Sequence, residues 1–158
     1  MYSPISIAAL FTSIAAESDK RLTHMQLQKL TYIAQGYKLA ITGATERLIN
    51  NPINAWKFGP VIPELYQELK MYGNNEIPKL YFNENIKPAD QSLVRAVYDS
   101  YGSMSGVELS ELTHRRGTPW DQIWNQQNGK NQQNQIISDN LIATYYLDHL
   151  IRGQSEGL

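Results

Sequence analysis

The sequence predicts a mainly α-helical protein: a single compact domain over residues 1–153, with about six or seven helices and one small β-hairpin or extended element near residues 47–58. Three observations predict it. The stretch 23–43, THMQLQKLTYIAQGYKLAITG, carries apolar residues at helical steps between a capping box and a closing glycine. Further segments along the chain open on a Ser or Thr cap, or on Pro in the first turn, and end at Gly or a polar turn. Short apolar runs punctuated by Asn51-Pro52 and Gly59-Pro60 mark the one region with non-helical character.

The stretch 23–43 is the organising helix. Thr23 is the expected N-cap and Gln26 its capping-box partner, while Gly43 stands where a left-handed residue closes a helix. Leu27, Leu30, Ala34, Tyr37 and Ile41 make one apolar stripe, and Ile33, Gly36 and Ala40 a second side. A helix apolar on two sides belongs at the centre of a bundle. Gly36 costs about 1 kcal/mol against Ala there, which implies that another element passes close by.

Ser3-Pro4 opens the first helix, whose apolar face is Ile5, Ala8, Ala9, Phe11, Thr12 and Ala15, ending near Glu17–Asp19. After Gly43, the runs 47–50 and 53–58 with Asn51-Pro52 between them read as a hairpin or extended loop, which Gly59-Pro60 breaks. Pro63 starts a helix that stops at Gly73. Residues 74–87 read as a loop, with a short strand at Leu80-Tyr81-Phe82. Pro88 starts a helix with Leu93, Val94, Val97, Tyr98 and Tyr101 inward, closed by Gly102. Ser105 caps a short helix with Val107, Leu109 and Leu112 inward, followed by a turn at 113–117. Thr118-Pro119-Trp120-Asp121 restarts a brief helix. The Asn/Gln-rich 125–135 is expected to be an exposed loop, because it offers too little apolar surface to order itself. Ser138 caps the last helix, with Leu141, Ile142, Tyr145, Tyr146, His149 and Leu150 at helical spacing. Gly153 is expected to close it and leave 154–158 as a frayed tail.

Composition narrows the function. The chain has 158 residues and no Cys, which removes disulfide frameworks and cysteine metal sites. Its 14 Lys plus Arg against 15 Asp plus Glu lack the basic excess of generic nucleic-acid binders. The N-terminal apolar run has no basic residues before it, and no run approaches the ~20 residues of a membrane span. A soluble, cytoplasmic protein without membrane contact is expected.

The chemistry-bearing residues are few. Ser110 and His114 are four apart on a helix, with Asp121 beyond them, a spacing that permits a nucleophile–base pair. No oxyanion hole or elbow turn accompanies them, and a His at a helix end more often caps it. His24, His114 and His149 belong to no short metal-ligand pattern, and Pro60 removes a donor from the one Gly-containing loop that might cradle a phosphate. No catalytic residue, metal or cofactor is therefore expected. Lys20, Arg21 and Lys29 cluster near the start of the central helix and Arg115-Arg116 sit in a turn; these could meet phosphates, yet no helix carries a dense basic face. Trp56, Phe58, Tyr66, Trp120 and Trp124 lie in or beside Pro- and Gly-punctuated segments, which present aromatics at surfaces. The alternative is that Trp56 and Trp120 plug the core beneath them.

Three stretches in order, residues 27–36 (LQKLTYIAQG), 55–66 (AWKFGPVIPELY) and 109–120 (LSELTHRRGTPW), resemble the Panacea domain, also called the SocA-like antitoxin domain, over roughly residues 5–150. Tyr37 stands where the family pattern often has Trp. The resemblance implies a non-enzymatic antitoxin of a type II toxin–antitoxin system, of the kind found in bacteria, prophages and phages. It would neutralise a protein toxin encoded by the adjacent gene, by direct binding, or deliver it to a cytoplasmic protease. Matching motif positions expected to be structural are Lys29, Tyr32, Gln35, Gly59, Thr113 and Pro119. Expected toxin contacts are Trp56, Phe58, Pro60, Tyr66, His114, Arg115 and Trp120. A small regulator binding operator DNA is the alternative from another class.

Overall fold

The computed structural model describes residues 1–132 and 134–156, the last four as backbone only. Among these residues the fold is mainly helical, with seven α-helices and two small antiparallel sheets. Helix α1 spans Pro4–Ala16. A short strand, β1 (Leu22–Thr23), leads into α2 (His24–Ile41). Strands β2 (Asn54–Trp56) and β3 (Gly59–Val61) form a hairpin that runs into α3 (Pro63–Leu69). Strand β4 (Glu76–Ile77) pairs with β1. Helices α4 (Pro88–Tyr101), α5 (Gly106–His114) and α6 (Pro119–Asp121) follow, the last continuing as a π-helical turn over Gln122–Gln126. Strand β5 (Gln135–Ile136) adds to β2 before α7 (Asp139–Glu156).

Helix α2 is the axis of the fold, packed against α7, α5, α4 and α1. Its ends are those read from the sequence. The Thr23 hydroxyl accepts from the Gln26 amide, the Gln26 side chain accepts from the Thr23 amide at 2.8 Å, and Gly43 adopts φ +61°. Leu27, Leu30, Ile33, Ala34, Gly36 and Ala40 are buried. A Cβ added at Gly36 would collide with the Tyr146 ring, so α7 is the close neighbour that the glycine implied. Ile41, expected on the stripe, is 65% exposed at the end of α2, although Leu39 and Ala40 just before it are buried.

Several other expectations change. Ser3 precedes α1, but its hydroxyl makes no cap; with the Ser6 hydroxyl and the Ser3 amide it donates to Glu84 Oε1. The hairpin lies later than expected. Its turn is Lys57-Phe58, and Gly59-Pro60 is strand rather than chain break, with Ala55 opposite Pro60. Pro60 is tolerated because β3 is an edge in the order β3-β2-β5. The run at 47–50 instead lies against the N-terminus, with Ile49 bridged to Tyr2.

In the following loop the strand is Glu76–Ile77, not Leu80–Phe82, and Tyr81 is exposed. Val107 is 75% exposed, so the inner side of α5 is carried by Leu109 and Thr113. The end of the amide-rich stretch is a strand instead of a loop, because β2 offers it an edge: Ala55 pairs with Gln135, and Asn54 Nδ2 donates to the Asn134 carbonyl at 3.1 Å. His149, expected inward, is exposed. Helix α7 runs past Gly153 to Glu156, and the rest of the expected tail, 157–158, lies outside the described residues.

Three polar residues on the buried face of α2 hold the irregular segment that follows it. Gln35 Oε1 accepts from the amides of Leu48 and Ile49 at 2.7 and 3.0 Å. Gln28 reads the backbone of Ile62 in both senses, accepting from its N–H at 3.1 Å and donating to its carbonyl at 3.2 Å. Lys29 donates to the Pro60 carbonyl at 2.7 Å. Backbone groups without a long ladder need partners once buried, and side chains of the central helix supply them.

Candidate protein-binding cleft

The hairpin, the first turn of α2 and helix α3 enclose a cleft of about 410 Å³. Its walls include Met25, Trp56, Phe58, Val61 and Tyr66. Phe58, at the hairpin tip, is 68% exposed; Tyr66, on the first turns of α3, is 38% exposed, and Met25, on α2, 42%. The Tyr66 ring lies between Trp56, edge-on at 5.2 Å, and the His24 imidazole at 5.1 Å. Burial, then the nearby Lys29 charge, pushes the His24 pKa down.

The hairpin is held in place from beneath by side chains of three helices. The carbonyls of alternate residues each receive one hydrogen bond from a side chain. Trp120 Nε1 of α6 donates to Trp56 O at 2.6 Å, and the Ser110 hydroxyl of α5 to Phe58 O at 3.0 Å. Lys29 and Gln28 of α2 donate to Pro60 O and Ile62 O. Trp120 is 5% exposed, and the His114 ring packs on it at 5.3 Å. Gly59 has φ +120°, and a Cβ there would meet Lys29 Nζ at 2.9 Å, so a glycine lets the strand pass over the ammonium. Lys29 is 3% exposed, and its burial pushes the pKa down to about 7.

The residues read from the sequence thus divide. Phe58 and Tyr66 offer exposed contact area, and Trp56 is half-buried between them and the sheet. Arg115 is exposed and paired with Glu111 at 2.8 Å. Pro60 and Trp120 are buried, and His114 is half-buried behind the hairpin. Lys29, Tyr32, Gln35, Gly59, Thr113 and Pro119 are all buried. The candidate phosphate cluster dissolves, because Lys29 is enclosed under β3 while Lys20 and Arg21 are exposed at another hollow. His24, Met25, Lys57 and Lys70 line the cleft without having been singled out as contacts. Lys70 was within reach of sequence reasoning, since it stands four residues after Tyr66 on the same helical face.

Ser110, His114 and Asp121 do not form a catalytic set. The Ser110 hydroxyl is spent on Phe58 O, and a His114 ring nitrogen contacts the Ser110 backbone carbonyl rather than its hydroxyl. Asp121 accepts from the Gly117 amide at 3.0 Å, from Asn125 at 2.7 Å and from Gln126 at 3.1 Å. The Gly117 bond, then that from Asn125, holds its carboxyl below the usual range. Among the described residues no group of His, Asp and Glu could hold a metal ion, and no helix is long and apolar enough to cross a membrane.

The helical frame presents an aromatic cleft with Phe58 exposed at its tip. The chain belongs to the SocA-like Panacea antitoxin family: residues 27–121 match the family described as "Antitoxin SocA-like, Panacea domain". It is 34% identical over 136 residues to Antitoxin SocA of Caulobacter vibrioides (strain NA1000 / CB15N), an alignment covering 76% of this chain and 69% of that protein. No solved structure matches the chain significantly. Almost all of the cleft lies within the matched residues, His24 and Met25 excepted.

Proposed function

We infer that this protein is the antitoxin of a type II toxin–antitoxin pair, acting in the cytoplasm and neutralising a toxin encoded by the adjacent gene through direct protein–protein contact. The observation that carries this reading is the cleft: exposed Phe58 and Tyr66 stand on a hairpin and helix fixed by hydrogen bonds, within the span that matches an antitoxin family. Rigid aromatic anchors of this kind concentrate binding energy at low entropic cost. The enclosure of Lys29 argues against phosphate recognition at the start of α2, so the operator-binding alternative gains no support there.

The test is to induce the neighbouring open reading frame alone and together with this chain, score growth, and pull down through a tag on this chain. Relief of toxicity with co-purification is expected. Relief that depends on a cytoplasmic protease, with the toxin disappearing rather than co-purifying, would assign delivery for degradation instead of masking. A neighbour whose toxicity this chain does not relieve would refute the antitoxin reading. Phe58→Ala should lose neutralisation while keeping the wild-type circular dichroism spectrum.

A further inference from the structure

The charge of the cleft is one-sided. Lys29, Lys57 and Lys70 line it, and no aspartate or glutamate does. The chain as a whole carries −1, so this is a local concentration and not a reflection of composition. Lys57 and Lys70 are exposed, and Lys57 Nζ stands 5.5 Å from the centre of the Phe58 ring. The ion pairs among the described residues involve Lys38, Arg47, Arg95, Arg115 and Arg152, and none of the three cleft lysines. Lys29, nearly enclosed beneath the hairpin, spends one of its three donors, on Pro60 O. Cations left without carboxylate partners beside exposed aromatics are complementary to a surface that brings the carboxylates itself.

We propose that the cleft receives an acidic segment of the partner protein, with an apolar side chain seated between Phe58 and Tyr66 and its neighbouring carboxylates set against Lys57 and Lys70. This rests on the reading that the chain acts by direct protein binding. The apolar anchor supplies burial, and the lysines supply orientation, association rate and rejection of basic surfaces. The aromatic walls favour a peptide over a nucleic acid backbone, which needs a broad run of cations. A second exposed basic pair, Lys20 and Arg21, lies in a separate hollow alongside Asp19 and Glu76.

The experiment is selection of random linear peptides on the immobilised full chain, followed by affinity measurement of the enriched peptides on wild type and on a Lys57→Glu/Lys70→Glu double variant. Both substitutions are on exposed side chains, and unchanged circular dichroism and melting confirm the fold. Enriched peptides should combine Asp or Glu with a large apolar residue. They should compete with one another, lose binding on Phe58→Ala, and bind the double variant roughly tenfold or more weakly. Failure to enrich any peptide, enrichment of neutral or basic ones, or equal binding to the double variant overturns the proposal. So does a preference for single-stranded oligonucleotide over peptide, or self-association through the cleft on sedimentation. The co-expression assay separates the two ideas: rescue by wild type and equally by the double variant refutes the acidic partner and spares the antitoxin reading. Absence of rescue by wild type refutes that reading, while the peptide selection still decides the chemistry of the cleft.

Discussion

The centre of α2 and the hairpin beside it are neighbours held by opposite means. The centre is built by burial: Leu27, Leu30, Ile33 and Ala34 are 0% exposed, and Gly36 lets α7 approach until Tyr146 covers it. The hairpin buries little at its tip. It is fixed by side-chain hydrogen bonds to the carbonyls of Trp56, Phe58, Pro60 and Ile62 from Trp120, Ser110, Lys29 and Gln28. Burial is non-directional and sums over area. A hydrogen bond contributes less net stability but dictates where a particular atom sits. The first suits a core, and the second suits a loop that must hold exposed aromatics in one arrangement without a core of its own.

Substitutions can break this contrast at either end. The largest expected effect is in the core: Leu30→Ala should cost about 2–5 kcal/mol in urea unfolding, with no new cleft-specific defect in the folded fraction. Trp120→Phe keeps most of the ring but removes the side-chain donor to Trp56 O. It should cost about 1–3 kcal/mol, and amide exchange should rise in β2 and β3 before it does in α2. If exchange rises uniformly, the hydrogen bond is not what fixes the hairpin.

Lys29 sharpens the comparison through pH. Its folded pKa, about 7, lies below the ordinary 10.5, so between these values the unfolded chain binds the extra proton. Stability contributed by this site therefore rises with pH across that window, and is lowest near and below pH 7, where the buried ammonium must be kept charged. Urea unfolding of wild type against Lys29→Met should show wild type gaining on the variant from pH 7 to 10. A constant difference would mean that the ammonium is solvated. The smallest expected effect on stability is Phe58→Ala, within about 0.5 kcal/mol, because the side chain is mostly in water. Its effect on partner binding should be at least about 2 kcal/mol, read by titration with the co-purifying toxin.

Where local physics decides, the sequence was legible. The capping box of α2, the prolines opening α1, α3, α4 and α6, and the Ser105 and Thr118 caps all depend on residues within a few positions of one another. The errors fall where a distant partner decides. Gly59-Pro60 looks like a break until β2 lies beside it. The amide-rich stretch gives no hint of a strand, because its partner is eighty residues away, with Asn54 meeting Asn134. Val107, Ile41 and His149 follow helical spacing but have no neighbour to cover them.

The same division runs through the candidate site. The sequence alone determined that a central capped helix would organise a mainly helical fold, and that aromatics would gather on Pro- and Gly-marked segments. Those outcomes follow from backbone preference and periodicity, which act over short distances. Only the tertiary structure decided which aromatics face water. Trp120 and Pro60 were expected as contacts and are buried, Phe58 and Tyr66 are exposed, and Lys29 lies beneath a strand instead of beside Lys20 and Arg21. Exposure belongs to the packed arrangement of α2, α5, α6 and the hairpin, and no single stretch of chain contains it.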